Sequence, residues 1–268
     1  SREAAVARVV KSRPENVYVV TKCGRRISPH IAESYTTEAL EGFVHVSLDN
    51  MGLETIDLVQ LHCPPTEVYY RPEIFALFDK LRDEGKIRYL GVSVEKVEEA
   101  IKAIQYPNVA TVQIIFNMFR HRPSELFFRL AKTKNVGIIA RVPLASGLLA
   151  GKMTPQTTFA ADDHRSYNRE GEAFDRGETF SGVDFELGLK GVAELKDLFP
   201  KDESLALWAL RWVLMFDEVS CAIPGASRGK HVEGNARASD LPQQTEKQMS
   251  AVKRIYEEYV KDSVHQRW

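Results

Sequence analysis

The chain has 268 residues, 44% hydrophobic and 27% charged, with 36 basic and 37 acidic side chains and a formal net charge of -1. That composition fits a globular protein able to bury a substantial core. It offers no basic excess for nucleic acid or an anionic membrane, no apolar run near bilayer length, and no apolar leader behind a basic start. Cys23, Cys63 and Cys221 lie far apart without CxxC spacing. They read as free thiols of a reducing cytoplasm, not as a disulfide or zinc framework.

In chain order, SREAAVARVVK predicts a helix with Val6, Val9 and Val10 on one face. VYVVTKCG (17–24) predicts a buried strand rich in β-branched residues. Leu40, Phe43, Val44, Ser47, Leu48 and Met51 repeat at helical spacing, with Thr37 and Gly52 as caps. DLVQLHC (57–63) is the second strand, stopped by Pro64 and Pro65. Pro72 opens a helix carrying Phe75, Phe78 and Leu81, and Gly85 closes it. YLGVS (89–93), a helix with Val97, Ala100, Ile101 and Ile104, ATVQIIF (110–116), a helix from Pro123 to Thr133, and VGIIARVP (136–143) continue the alternation. Residues 151–186 lack regular periodicity and hold Phe159, Tyr167, Phe174 and Phe180 among charges. A loop of that length in a globular chain reads as functional or disordered, with plain surface packing as the alternative. Trp208 and Trp212, four apart beside Leu205 and Leu210, read as core. VSCAIPGA (219–226) is the last strand, and Ile255 and Tyr259 turn inward on a charged final helix.

Continuous apolar strands separated by helices predict a parallel sheet covered on its faces. A doubly wound sheet would show a GxGxxG turn after an early strand, and there is none. A (β/α)8 barrel needs no such turn and gathers its chemistry at the C-terminal ends of its strands. Lys22, His62, Ser93, Gln113 and Arg141 stand at or near those ends. A lone strand-end histidine is as readily a satisfied core residue as a functional one. Polar residues recurring where apolar strands stop would meet on one rim.

The segments VYVVTKCG, DLVQLHCP, GKIRYLGVS, VQIIFN, RVPLASGLLAGK and AIPGASRGKHVEGN resemble, in order and spacing, those of the aldo-keto reductases. The resemblance covers the chain to about Leu241. It implies one (β/α)8 TIM barrel over 1–268, residues 151–186 as a substrate lid, and NADPH-dependent reduction of an aldehyde or ketone. His62 matches the histidine that orients and polarises the carbonyl. Lys22 matches the lysine that lowers the pKa of a catalytic tyrosine, a charge effect. Ser93 and Gln113 match the residues that hold the nicotinamide carboxamide. Arg141 stands where many members place a ring that stacks on the nicotinamide, and a planar guanidinium can stack too. Leu144 and Ser146 match the segment over the pyrophosphate. Gly225, Ser227, Arg228, His231 and Asn235 match the stretch holding the adenosine phosphate and adenine, with Arg228 the residue suited to the 2′-phosphate.

This sequence departs from the pattern at three further places. Val94 follows Ser93 where Asn is frequent, His231 replaces the usual Gln, and Gly234 the usual Glu. In the family the first helix follows two strands and a Tyr-Gly turn that carries the catalytic tyrosine, with an aspartate a few residues earlier. The expectation is therefore a barrel whose first two strands are absent from this sequence. Tyr69 and Tyr70 are the phenols nearest His62 in sequence. Two other readings are an NADPH-binding accessory protein on the same barrel, and a Schiff-base enzyme using Lys22. A metal hydrolase is disfavoured, since His62 has no HxH or HxxxH partner. The implied partner is a small-molecule carbonyl compound in the cytoplasm, and oligomeric state leaves no sequence signal.

Overall fold

The computed structural model describes residues 2–268. Helix α1 (Arg2–Ser12) leads to strand β1 (Val20–Cys23), shorter than predicted. Val17 and Tyr18 are exposed, and Val19 donates its amide to the Asp57 carboxylate at 2.7 Å. The valine face predicted for α1 is also not buried: Val6 and Val9 are exposed, and Ala7 is buried instead. Glu3 seats this helix, accepting from Thr21 Oγ1, Ser47 Oγ and Asn50 Nδ2 at 2.8–2.9 Å. Partial burial works against its charge, yet those three donors hold its pKa below the usual carboxylate range.

Helix α2 (Thr37–Met51) is capped by Thr36, not Thr37. Thr36 keeps an extended backbone and accepts from the Ala39 amide at 3.2 Å, so Thr37 is the first helical residue. Gly52, at φ 57°, ends the helix as predicted. Strand β2 (Ile56–His62), helix α3 (Pro72–Asp83), strand β3 (Ile87–Ser93), helix α4 (Val97–Ala103) and strand β4 (Val109–Ile115) follow their expected places. The helix predicted from Pro123 splits into a 3-10 turn, Arg122–Ser124, and α5 (Phe127–Thr133). Ser124 turns both its amide and its hydroxyl back onto the His121 carbonyl, closing the turn on itself.

Strand β5 (Gly137–Arg141) is followed by α6 (His164–Tyr167), α7 (Phe185–Leu198) and α8 (Leu205–Val213). Then come β6 (Val219–Ala222), α9 (Gly229–Ala236), α10 (Glu246–Tyr259) and α11 (Lys261–Val264). A reciprocal cap between Thr245 and Gln248 starts α10, which buries Val252, Ile255 and Tyr256. The inward ring is thus Tyr256, four residues after Val252, and Tyr259 instead directs its hydroxyl to Glu194. The aperiodic stretch 151–186 is ordered by polar contacts. Buried Asn168 accepts the amides of Ala173 and Phe174 at 2.9 and 2.8 Å, and Phe180 is buried.

The six strands follow one another in chain order, and the chain divides into two compact units. The first gathers residues up to Val94, Glu98–Gln113 and Thr133–Gly137. In it β1, β2 and β3 pair in parallel, and β3 pairs in parallel with β4. One sheet face carries Val59, Leu61, Leu90, Val92 and Val112, all buried. Each such side chain contributes about 1.5–3 kcal/mol by leaving water. The second unit holds Glu95–Val97, Ile114–Lys132 and Ile138–Trp268. Here β5 and β6 pair in parallel, and Phe116 packs against Phe128, Trp212 and Phe216 at ring distances of 4.7–5.0 Å. Trp208 and Trp212 are core, as predicted. Among the described residues no helix is long and apolar enough to cross a membrane.

Candidate active site

Strand register builds the site in the first unit. Lys22 is level with Gln60, Gln60 with Gly91, and Gly91 with Thr111. Two residues on, His62 is level with Ser93 and Ser93 with Gln113. Side chains two apart on a strand share a face, so these two rows lie on the same side of the sheet, opposite the apolar one. The four strand-end residues predicted from sequence therefore converge. Lys22 and His62, both half-buried, line a depression of about 840 Å³ with Thr21, Gly24, Arg25 and Met51. Ser93 and Gln113 are buried.

Local geometry explains why β2 stops where it does. Cys63 turns into the left-handed region at φ 46°, while its amide still bonds the Ser93 carbonyl at 2.8 Å. The bend leaves His62 as the last residue of the strand. Val94 continues the ladder by bonding the Gln113 carbonyl at 2.9 Å. Neither phenol near His62 takes its place in these rows. Tyr69 is buried and donates to the Ser93 carbonyl at 3.4 Å, and Tyr70 is exposed beneath Lys102.

Gln60 and Thr111 were not among the residues predicted, although they fill the row under His62. Gln60 is fully buried, its Nε2 donating to Thr111 Oγ1 at 3.5 Å. A signal existed, because Gln60 is the one polar residue inside an apolar run and stands two before His62.

The second unit presents the other predicted positions. Arg141 ends β5, is buried, and forms an ion pair with Glu178. The loop after it coils through positive φ at Val142, Ala145, Ser146 and Gly147. Leu144 packs against Leu207, Leu210 and Ala238. Ser146 donates its hydroxyl to the Glu178 carbonyl at 2.8 Å, accepts from the Phe180 amide at 3.3 Å, and has His164 Nε2 at 3.3 Å. Arg165 reaches the Ser146 carbonyl at 3.3 Å and grips Asp163, whose carboxyl it holds down to about 2. Glu178 was missed, and no periodicity marks it.

Gly225, Ser227, Arg228 and His231 are exposed and Asn235 is half-buried at one corner. Arg228 is the residue before α9, at the helix end whose amides favour an anion. Ser227 Oγ lies 3.3 Å from His231 Nδ1, and Asn235 Nδ2 donates to the Gly225 carbonyl at 3.4 Å.

The description of the aldo/keto reductase family matches residues 1–257. The chain belongs to that family. Aldo-keto reductase relatives agree in sequence and in structure. An uncharacterized oxidoreductase of Bacillus subtilis, YqkF, is 26% identical over 257 residues, covering 93% of this chain and 77% of the relative. The NADP(+) aldo-keto reductase yakc of Schizosaccharomyces pombe is 24% identical over 83% of this chain, which spans 65% of that relative's length. A glycerol dehydrogenase of Gluconobacter oxydans superposes with a TM-score of 0.74 at 28% identity, covering 96% of this chain and 77% of its own. An aldo-keto reductase of Bacillus halodurans in its holo form gives 0.68 at 23% identity, over 94% and 76%. The fold is accordingly of the (β/α)8 type expected, with six of its parallel strands among the described residues.

Proposed function

We propose that the protein reduces an aldehyde or ketone to an alcohol, with NADPH as the hydride donor. The observation that carries this reading is the convergence of Lys22, His62, Ser93 and Gln113 on one sheet face. NADPH, when bound, supplies the hydride for the carbonyl carbon. The chain's own residues handle the oxygen. His62 is assigned the hydrogen bond to the carbonyl oxygen, which gains negative charge as the bond is reduced. A proton passes to that oxygen from a hydroxyl donor beside Lys22, whose positive charge is assigned to favour its release.

The cofactor's groups suit the side chains present. Ser93 and Gln113, buried and level with each other, offer the donors and acceptor that a carboxamide needs. Arg228 at the start of α9 suits a 2′-phosphate. Arg141, assigned by the resemblance to stack on the nicotinamide, is buried and charged, and Glu178 offsets that charge. Ser146 and Leu144 are assigned to the pyrophosphate segment.

The test is NADPH oxidation with 4-nitrobenzaldehyde. Wild type is expected to turn over, and Lys22→Met and His62→Phe to lower kcat by about 10²–10⁴-fold while still binding NADPH. Tight NADPH binding without oxidation would instead favour the accessory-protein reading. A borohydride-trapped adduct on Lys22 would favour the Schiff-base one.

A further inference from the structure

Trp268 lies beyond the residues matched to the family, yet it is buried. Its indole N–H donates to Asp175 Oδ1 at 2.9 Å, and Arg122 Nη1 donates to its carbonyl at 2.8 Å. The Arg120 guanidinium, itself fully buried, sits 4.1 Å from the ring centroid and donates to the Gly177 carbonyl at 3.2 Å. A cation over an indole face is among the stronger contacts of its kind when desolvated.

The segment that Trp268 touches has no room to shift toward it. A Cβ on Gly182, at φ 77°, would fall 2.6 Å from the indole, and one on Gly177 would fall 2.5 Å from Arg120 and 2.9 Å from the indole. Residues 175–182 are thus pressed onto Trp268 and Arg120 along one side. Their other side holds Glu178, which pairs with Arg141 and whose carbonyl takes the Ser146 hydroxyl. Phe180 gives Ser146 its amide, and Ser181 Oγ accepts from Asn117 Nδ2 at 2.7 Å while Asn117 also holds the Val142 carbonyl at 2.8 Å.

We propose that Trp268, with Arg120 and Asp175, is a latch that positions Glu178, and through it Arg141 and Ser146, for the dinucleotide. Trp268 is a positioning residue, since it acts through residues 175–182. The assignment of Arg141 and Ser146 to the cofactor rests on the function proposed above. The latch itself stands on the contacts just described.

Two measurements keep the two readings apart. Hydrogen exchange without cofactor reads the latch alone. Trp268→Ala is expected to speed exchange at the Phe180 amide and in 142–149, with β2 and β3 unchanged. Trp268→Phe keeps a ring over Arg120 and against Gly182, and is expected to restore most of the protection. Unchanged exchange at 142–149 and Phe180 in a folded Trp268→Ala protein overturns the latch, whether or not NADPH binds. If Trp268→Ala does not fold, Asp175→Ala, which removes the indole's acceptor, takes its place under the same criterion.

Steady-state kinetics with NADPH and 4-nitrobenzaldehyde read its consequence. Trp268→Ala and Glu178→Gln are each expected to raise the KM for NADPH about tenfold, the scale of one misplaced charge-assisted contact. The KM for the aldehyde should stay within about twofold. Because Trp268 reaches Arg141 through the Glu178 side chain, the two effects should combine to less than their sum. Additive effects, or an NADPH KM unmoved while exchange rises, overturn the positioning role. Wild type that fails to bind NADPH would defeat the proposed function, leaving the latch to the exchange result.

Discussion

Gly91 shows how tightly the polar row under His62 is packed. A Cβ built there falls 2.3 Å from Thr111 Oγ1 and 3.1 Å from both Gln60 Cγ and the Thr111 carbonyl oxygen. Its backbone is ordinary strand, so space and not φ demands the glycine. Gly91→Ala should cost about 1–3 kcal/mol, as overpacked cores do. Gly91→Ala with Thr111→Ala should recover part of that loss, because the Oγ1 clash is gone. Chemical denaturation of the two variants checks both statements. The same row tells which candidate site residues a sequence discloses. His62 was legible because an apolar strand stopped beside it, and Gln60 was within reach of a two-residue period. Glu178 was not, since its approach to Arg141 depends on how an aperiodic loop folds back, held by Asn168 and Trp268.

At the scale of elements, boundaries were read less well than identities, and the reasons are local. Thr36 and Thr37 are equal candidates by composition, and only backbone geometry decides which one caps α2. Val6, Val9 and Val10 form an apolar stripe at helical spacing, but Glu3 and not the stripe seats α1. The split at Pro123 leaves His121 in a turn, its ring stacked between Tyr256 at 4.0 Å and Trp212 at 4.8 Å. Burial there pushes its pKa down to about 3, while the Met118 carbonyl at 2.9 Å opposes the shift. Between pH 6.5 and 3 the unfolded chain therefore binds a proton that the folded one refuses. Stability from this group is complete above about pH 6.5 and is lost as pH falls toward 3. The slope should be positive in that window, and His121→Phe should flatten it. Urea midpoints at pH 7, 6, 5 and 4 measure the difference. Equal slopes for the two proteins would mean that His121 does not titrate in this way.

For the whole molecule, the parallel sheet was legible because apolar runs buried on both faces leave few other architectures. The link from strand order to ligand binding can be tested by mass action. A ligand that binds only the folded state adds about 2.7 kcal/mol at a hundred times its Kd. For a chain of this size, that should raise Tm by several degrees. NADPH should produce that shift in wild type. Lys22→Met should keep it, because Lys22 is assigned to proton donation and not to the adenosine end. Arg228→Ala should lose most of the NADPH shift while matching wild type with NADH, if the guanidinium before α9 meets the 2′-phosphate. An NADPH shift larger than the NADH shift in wild type and kept in full by Arg228→Ala would remove the phosphate from that corner. The selectivity would then have to be sought among other basic side chains of the second unit, with Lys230 the first to change.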